Sequence, residues 1–238
     1  VAANEIVEII EKTSFAMAQQ DVRYYLNGLF LNFSAQEIFG VATDGHRLAK
    51  AGAKAKADIE EGVNAIVPRK GVIEIEKQIK EEDMEVKLSI SKNHLQVSGN
   101  DYQAITKLID GKFPDYQKVI PDSTDKLITV DCKTFKEALG RVSILSNDRF
   151  RGVRLKFVEN EIQVTANNPE KEEATDDIKS TYGGEPIEVG FNVNYLIDVL
   201  NVIKTKNVQI ALKDANSSAL LTPENDTASS YVVMPLRL

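Results

Sequence analysis

LNGLFLNFSAQEIFGVATDG (26–45) and FRGVRLKFVENEIQVTANNP (150–169) are two versions of one pattern. In each, a glycine (Gly28 or Gly152) opens a strand of alternating apolar and polar residues. A short polar turn follows, and a second strand runs into a polar loop. A period of two is what a strand with one buried face requires. The likeness extends outward. VAANEIVEII (1–10) aligns with VDCKTFKEAL (130–139), and IVPRKGVIEIEKQI (66–79) with GFNVNYLIDVLNVI (190–203). VKLSISKNHLQVSGNDYQAITKLID (86–110) aligns with VQIALKDANSSALLTPENDTASSYVVMPLRL (208–238). Residue identities are few, but order and spacing persist, so the chain reads as two tandem copies of one domain.

Each copy reads as a helix, strands, a second helix and a meander of strands. Apolar spacing predicts helices over 4–19, 69–80, 133–146 and 193–204, with Asn4 and Asn194 at or near helix starts as caps. Their apolar faces are Ile6, Ile9, Ile10 and Phe15; Val72, Ile73 and Ile79; Phe135, Ala138, Leu139 and Val142; and Leu196, Val199, Leu200 and Ile203. The fold class is α+β: antiparallel sheets with two helices per copy packed on one face. GKFPDYQKVIPDSTDK (111–126) is rich in turn residues and separates the copies, giving domains 1–115 and 116–238. KLITV (126–130) is a strand before the second copy's first helix. The first copy begins at Val1 without a counterpart, so the chain is expected to be the back part of a longer protein, cut where a strand belongs.

The 238 residues suffice for one large domain or two smaller ones. No apolar run approaches the roughly 18 residues of a membrane span. The opening decapeptide is acidic and helix-like, unlike a secretory leader. The single cysteine, Cys132, excludes an internal disulfide and fits a reducing cytoplasm, the expected location. A net charge of −7 argues against nucleic-acid binding through the whole surface. The four predicted helices, however, carry −2, +2, +2 and 0, leaving −9 elsewhere. Arg69, Lys70, Lys77, Lys80, Lys133, Lys136 and Arg141 supply most of the positive side. Such a surface either faces phosphates or is an ordinary solvated helix face.

ATDGHRLAK (42–50) concentrates an acid, a glycine, an imidazole and a guanidinium. A metal site needs further ligands, and His94 is the one other imidazole, at no recognisable spacing. No nucleophile elbow and no glycine-rich phosphate loop is present. Two readings remain. Asp-Gly is a turn signal, and Asp44 can bond its own loop backbone, with His46 and Arg47 at the surface. Alternatively the turn is the wall of a groove, with Gly45 letting a ligand approach. The apolar tail YVVMPLRL (231–238) favours the second. Tyr231 to Met234 suits a strand, Pro235 must leave the ladder, and Met234 and Leu236 suit an adaptable apolar pocket.

Together, ATDGHRLA, DVRYYLNG (21–28), VPRKGVIE (67–74), FPDYQKVIP (113–121), SNDRFRGVRL (146–155), TANNPEKEEA (165–174), GFNVNYLIDVLN and YVVMPLRL resemble the bacterial DNA polymerase III beta-subunit family, the sliding clamps. The resemblance covers the whole chain and matches the second and third of the family's three domains. It implies the DNA-clamp fold and a homodimeric ring around double-stranded DNA, bound without regard to sequence. It implies no catalysis and no cofactor or metal. DNA polymerases, the clamp loader, and repair and initiation proteins would dock by short motifs of the glutamine-leucine-x-leucine-phenylalanine type, in a pocket between the two domains. By matching motif that pocket comprises Leu26, Thr43, Gly45, His46, Arg47, Leu48, Pro114, Lys118, Val119, Asn192, Tyr195, Ser218, Val232, Val233, Met234, Pro235, Leu236, Arg237 and Leu238. Lys118 stands where an arginine is expected and Leu236 where a methionine is common, which weakens a bidentate contact and stiffens the pocket.

Gln20, Tyr24, Tyr25 and Arg69 match DNA-proximal positions, with one of the two tyrosines expected in the core. Ile144 and Leu145, with Glu170, Glu172 and Glu173, match half of the protomer interface. The other half belongs to the first domain, so this chain alone is expected to be mainly monomeric. A generic duplicated interaction module that never meets DNA, and an enzyme using Asp44 and His46, are the competing readings.

Overall fold

A computed structural model describes residues 1–54, 62–79, 85–122, 124–147 and 150–237. The chain divides into two compact units, residues 1–116 and 117–238. Unit 1 runs α1 (Ala3–Thr13), β1 (Gly28–Phe33), β2 (Glu37–Thr43), β3 (Arg47–Lys54), β4 (Val63–Pro68), α2 (Arg69–Gln78), β5 (Lys87–Ile90), β6 (His94–Ser98) and β7 (Gln103–Lys107). Unit 2 runs β8 (Lys126–Asp131), α3 (Cys132–Ser143), β9 (Gly152–Val158), β10 (Glu161–Asn167), β11 (Glu173–Lys179), β12 (Ile187–Asn192), α4 (Val193–Val202), β13 (Asn207–Leu212), β14 (Ala219–Pro223) and β15 (Ser230–Val233).

The duplication is visible in the register. Gly28 and Gly152, Glu37 and Glu161, and Arg69 and Val193 open equivalent elements, each pair 124 residues apart. In unit 1 the antiparallel order β4-β1-β2-β3 matches β12-β9-β10-β11 of unit 2. The meander β5-β6-β7 matches β13-β14-β15. β8 pairs along β13. Among the described residues, Val1–Ala2 lies beside Glu85 and Val86 of unit 1, through an Ala2–Glu85 bridge, a Val86 N–H to Val1 carbonyl bond and a bond from the Val1 ammonium to the Val86 carbonyl.

Alternation builds the cores. In unit 1, Ile6, Ile9 and Ile10 of α1 and Val72 and Ile75 of α2 are buried, as are Leu29, Leu31, Val67, Leu95 and Val97 of the strands. In unit 2, Phe135, Leu139 and Val142 of α3 and Leu196, Val199 and Leu200 of α4 are buried, with Val153, Leu155 and Phe157 of β9. Each such aliphatic side chain contributes about 1.5–3 kcal/mol on full burial. Gly40 lets α1 approach β2: a Cβ there would stand 2.7 Å from the Ile9 methyl. Cys132 is buried, its thiol 3.8 Å from the Leu200 carbonyl. Burial raises its pKa, the Asp131 carboxylate adding to the effect and Lys136 opposing it.

Several local expectations change. The first helix ends at Thr13 rather than at residue 19, passing into a 3₁₀ turn (Ser14–Ala16) and an extended Met17. Burial of Met17 and Ala18, and the Ala18 N–H bond to the Leu26 carbonyl, outweigh helical continuation. α3 ends at Ser143 and α4 at Val202; residue 80, the expected end of the second helix, lies outside the described residues. Asn4 is inside α1, whose N-cap Ala2 makes no side-chain bond. Asn194 is inside α4, and Asn192 caps it by accepting the Asn194 N–H at 2.9 Å. Met234 falls beyond β15. With these bounds the helices carry −2, +1, +2 and −1, so the positive total expected of them disappears. Lys204 now follows α4, and Lys80 is not described. Among the described residues no helix is long and apolar enough to cross a membrane.

Candidate functional site

The turn between β2 and β3 holds itself together. Asp44 Oδ1 accepts the His46 N–H at 2.9 Å and the Arg47 N–H at 3.0 Å, while Oδ2 accepts Arg47 Nε–H at 3.1 Å. Thr43 Oγ1 donates to the Arg47 carbonyl at 2.6 Å and accepts the Gly45 N–H at 3.1 Å. Gly45 has φ +90°, which L-residues rarely adopt. The space beside it is taken by the Arg23 guanidinium, 3.0 Å from where a Cβ would be. Asp44 therefore uses its carboxylate to hold the turn. Among the described residues no group of three or more metal-ligating side chains occurs.

Arginines tie this turn to the segment after α1. Arg47 Nη2 donates to the Phe15 carbonyl at 2.9 Å, and its guanidinium lies 5.3 Å from the Phe15 ring centroid. Arg23 donates to the Asp44 carbonyl at 3.2 Å and grips Asp21 bidentately at 3.0 and 2.8 Å. That grip lowers the Asp21 pKa to about 2, the side-chain bond from Arg23 being the main cause. Arg69 Nη2 donates to the Met17 carbonyl at 2.8 Å. Its pKa is lowered, first by burial and then by Arg47 nearby, though a guanidinium stays charged.

His46 and Gly45 are exposed, and Thr43 and Arg47 half-buried. Leu26 and Leu48 are buried. Pro114 is exposed, and Lys118 and Val119 are exposed in the 3₁₀ turn Tyr116–Val119. Neither Tyr24 nor Tyr25 is in the core: the 3₁₀ turn Tyr24–Leu26 sends Leu26 inward instead. Tyr24 is 57% exposed, and Tyr25 is half-buried, its ring edge-on to Tyr24 at 5.8 Å. Gln20 is exposed with φ +56°.

In unit 2 the chain leaves β15 at Met234 and crosses to β12, where the Leu236 N–H donates to the Gly190 carbonyl at 2.8 Å. Pro235, which has no N–H, sits where the ladder stops. This crossing opens a cleft of about 580 Å³. Ser218, Met234, Pro235, Leu236 and Arg237 line it as a group. Val232 and Val233 are buried beneath. Asn192 and Tyr195 are half-buried at the start of α4, and Leu238 lies outside the described residues. Arg154, Glu188, Gly190, Ala215 and Asn216 also line the cleft and were not among the expected positions. The outward phase of Arg154 and Glu188 on alternating strands was the available signal.

At the far end of α3, Ile144 is 79% exposed, Leu145 is half-buried, and Glu170, Glu172 and Glu173 are exposed. α3 packs on β11, with Arg141 bonded to Asp176 at 2.7–2.8 Å.

The chain matches two family models, the DNA polymerase III beta subunit central domain over residues 1–115 and its C-terminal domain over 117–237. It is 45% identical over 235 residues to the beta sliding clamp of Pseudomonas putida, covering 99% of this chain and 64% of that protein. The beta sliding clamp of Escherichia coli K12 is 44% identical over 230 residues, 97% of this chain and 63% of that one. A crystal structure of the DNA polymerase sliding clamp from Pseudomonas aeruginosa superposes with a TM-score of 0.98 at 44% identity, covering all of this chain and 66% of that one. A second from that organism, bound to griselimycin, gives 0.97 at 44% identity, with 64% of that chain covered. The chain thus spans about 64% of the length of the curated relatives it matches. Its duplicated α+β units have the sliding-clamp fold, and the chain belongs to the DNA polymerase III beta-subunit family.

Proposed function

We propose that this chain carries the central and C-terminal domains, residues 1–115 and 116–238, of a sliding clamp that serves as a processivity factor in DNA replication. The cleft beside Met234–Arg237 carries the reading. It offers a thioether, a proline and a leucine to apolar side chains, and the Ser218 hydroxyl and Arg237 guanidinium to a peptide backbone. Its partners are short linear motifs of DNA polymerases, the clamp loader, and repair and initiation proteins. Thr43, Gly45, His46, Arg47, Leu48, Pro114, Lys118, Val119, Asn192 and Tyr195 are the further proposed contacts. Membership of the family and the ligand-bound relative from P. aeruginosa support this reading.

The whole protein closes a homodimeric ring around double-stranded DNA, with Gln20, Tyr24, Tyr25 and Arg69 near the phosphates. Ile144, Leu145, Glu170, Glu172 and Glu173 contribute to the protomer interface. The chain performs no chemistry and needs no cofactor; it acts in the cytoplasm, and by itself it is mainly monomeric. The test is fluorescence anisotropy with a labelled glutamine-leucine-x-leucine-phenylalanine peptide. Saturable binding that is lost when Met234–Leu238 is deleted is the expected result. Undiminished binding by the deletion variant, or none by a folded chain, rejects the assignment.

A further inference from the structure

The two units share one more construction. As Leu236 does with Gly190, the segment leaving β7 returns to β4, where the Ile109 N–H donates to the Ile66 carbonyl at 2.9 Å. Ile66 and Gly190 hold equivalent places, each two residues before its strand's end. In unit 1 too, the return segment walls a cleft, here of about 510 Å³. The chemistry of the two clefts differs. Unit 2 sets Arg154 and Arg237 against Glu188. Unit 1 brings Lys92, Lys107 and Lys112 to its cleft, with Asp110 as the one acidic group lining it among the described residues.

The three lysines arrive from different elements. Lys92 is on the β5–β6 turn, Lys107 ends β7, and Lys112 is on the return segment. All three are exposed, and their charges converge on one hollow in a chain of net charge −7. Apolar groups line the same hollow: Phe30, Leu108 and Ile109 are half-buried, and Phe113, stacked on Phe30 at 4.9 Å, and Ile66 are buried. We propose that this cleft is a second peptide-docking site, selective for an acidic segment that carries an apolar anchor. Carboxylates would pair with the lysines while the anchor covers Phe30, Leu108 and Ile109. A phosphate backbone would use the lysines and leave that apolar surface idle. The proposal does not depend on the unit 2 cleft, since the two have no residue in common.

The test is anisotropy of a fluorescein-labelled Asp-Glu-Asp-Leu-Phe-Asp-Glu peptide on the full 238-residue chain. Saturable binding is expected, weakening with salt because surface charges are screened. It should weaken at least tenfold in the triple variant Lys92→Glu, Lys107→Glu, Lys112→Glu. The corresponding triple lysine-to-glutamine variant should show the same direction of loss, without introduced negative charge. Both variants should melt as the parent does and keep its affinity for the glutamine-leucine-x-leucine-phenylalanine peptide, which separates this site from the one in unit 2. Absence of saturable binding by the folded parent, or undiminished binding in the triple variants, overturns the proposal. So does lysine-dependent binding of a short single-stranded oligonucleotide that displaces the peptide, which would assign the cleft to nucleic acid.

Discussion

Phe30 and Arg154 occupy the same position in the two units, 124 residues apart, as do Phe39 and Gln163. In unit 1 that outward sheet face is aromatic, and the chain after β7 covers it. Phe113 stacks on Phe30 and is buried, and Tyr116 lies 6.1 Å from both Phe30 and Phe39. In unit 2 the same face is polar, Arg154 is exposed, and the returning segment leaves a cleft beside it. One scaffold therefore serves two ends. Aromatic residues anchor the return segment of unit 1 to its sheet, and polar ones leave a cleft beside the return segment of unit 2. The helix starts differ as well. α3 and α4 are capped by Asp131 and Asn192, whereas α1 and α2 begin at Ala2 and Pro68 without a side-chain cap.

The largest break in this contrast is Phe113→Ala. Removing a buried, stacked ring should cost about 3 kcal/mol, whereas Arg154→Ala at the exposed counterpart of Phe30 should stay within about 0.5 kcal/mol. Denaturant unfolding measures both, and equal losses would refute the account of an anchored return segment. Next come the caps. Asp131 accepts the Thr134 N–H at 2.8 Å and its hydroxyl at 2.7 Å. Asp131→Ala should cost about 1 kcal/mol, and Ala2→Ser should gain about 0.5 kcal/mol, since Ala2 already has cap-like dihedrals. Thermal unfolding of the two variants checks the opposite signs.

The smallest effect is a titration. Asp21, gripped by Arg23, has its pKa lowered to about 2. A depressed carboxylate stabilises the fold above its unfolded value of about 3.9, and that contribution is lost as pH falls through the folded pKa. Carbon-detected NMR should place the Asp21 midpoint near 2, and Arg23→Ala should return it toward the ordinary range.

The duplication was legible because its signals are local. A glycine followed by alternation marked Gly28 and Gly152, and amphipathic spacing marked the starts at Arg69 and Val193. Helix ends were not: α1 stops at Thr13 because Met17 and Ala18 are drawn into a core built from distant residues. Apolar character alone did not separate buried positions from exposed ones: Leu26, Leu48, Val232 and Val233 stood among the expected contacts, and all four are buried. Nor did it reveal the Phe30–Phe113 stack or the convergence of Lys92, Lys107 and Lys112, which join segments far apart in sequence.

Cys132 has a practical consequence. It is the sole thiol in the sequence, it is buried, and its pKa is raised, so little reactive thiolate is present near neutral pH. A second cysteine installed at an exposed position can therefore be labelled selectively in the wild-type background. A dye at Lys112 and another at Arg237, in separate proteins, would report occupancy of each cleft without first removing a native thiol.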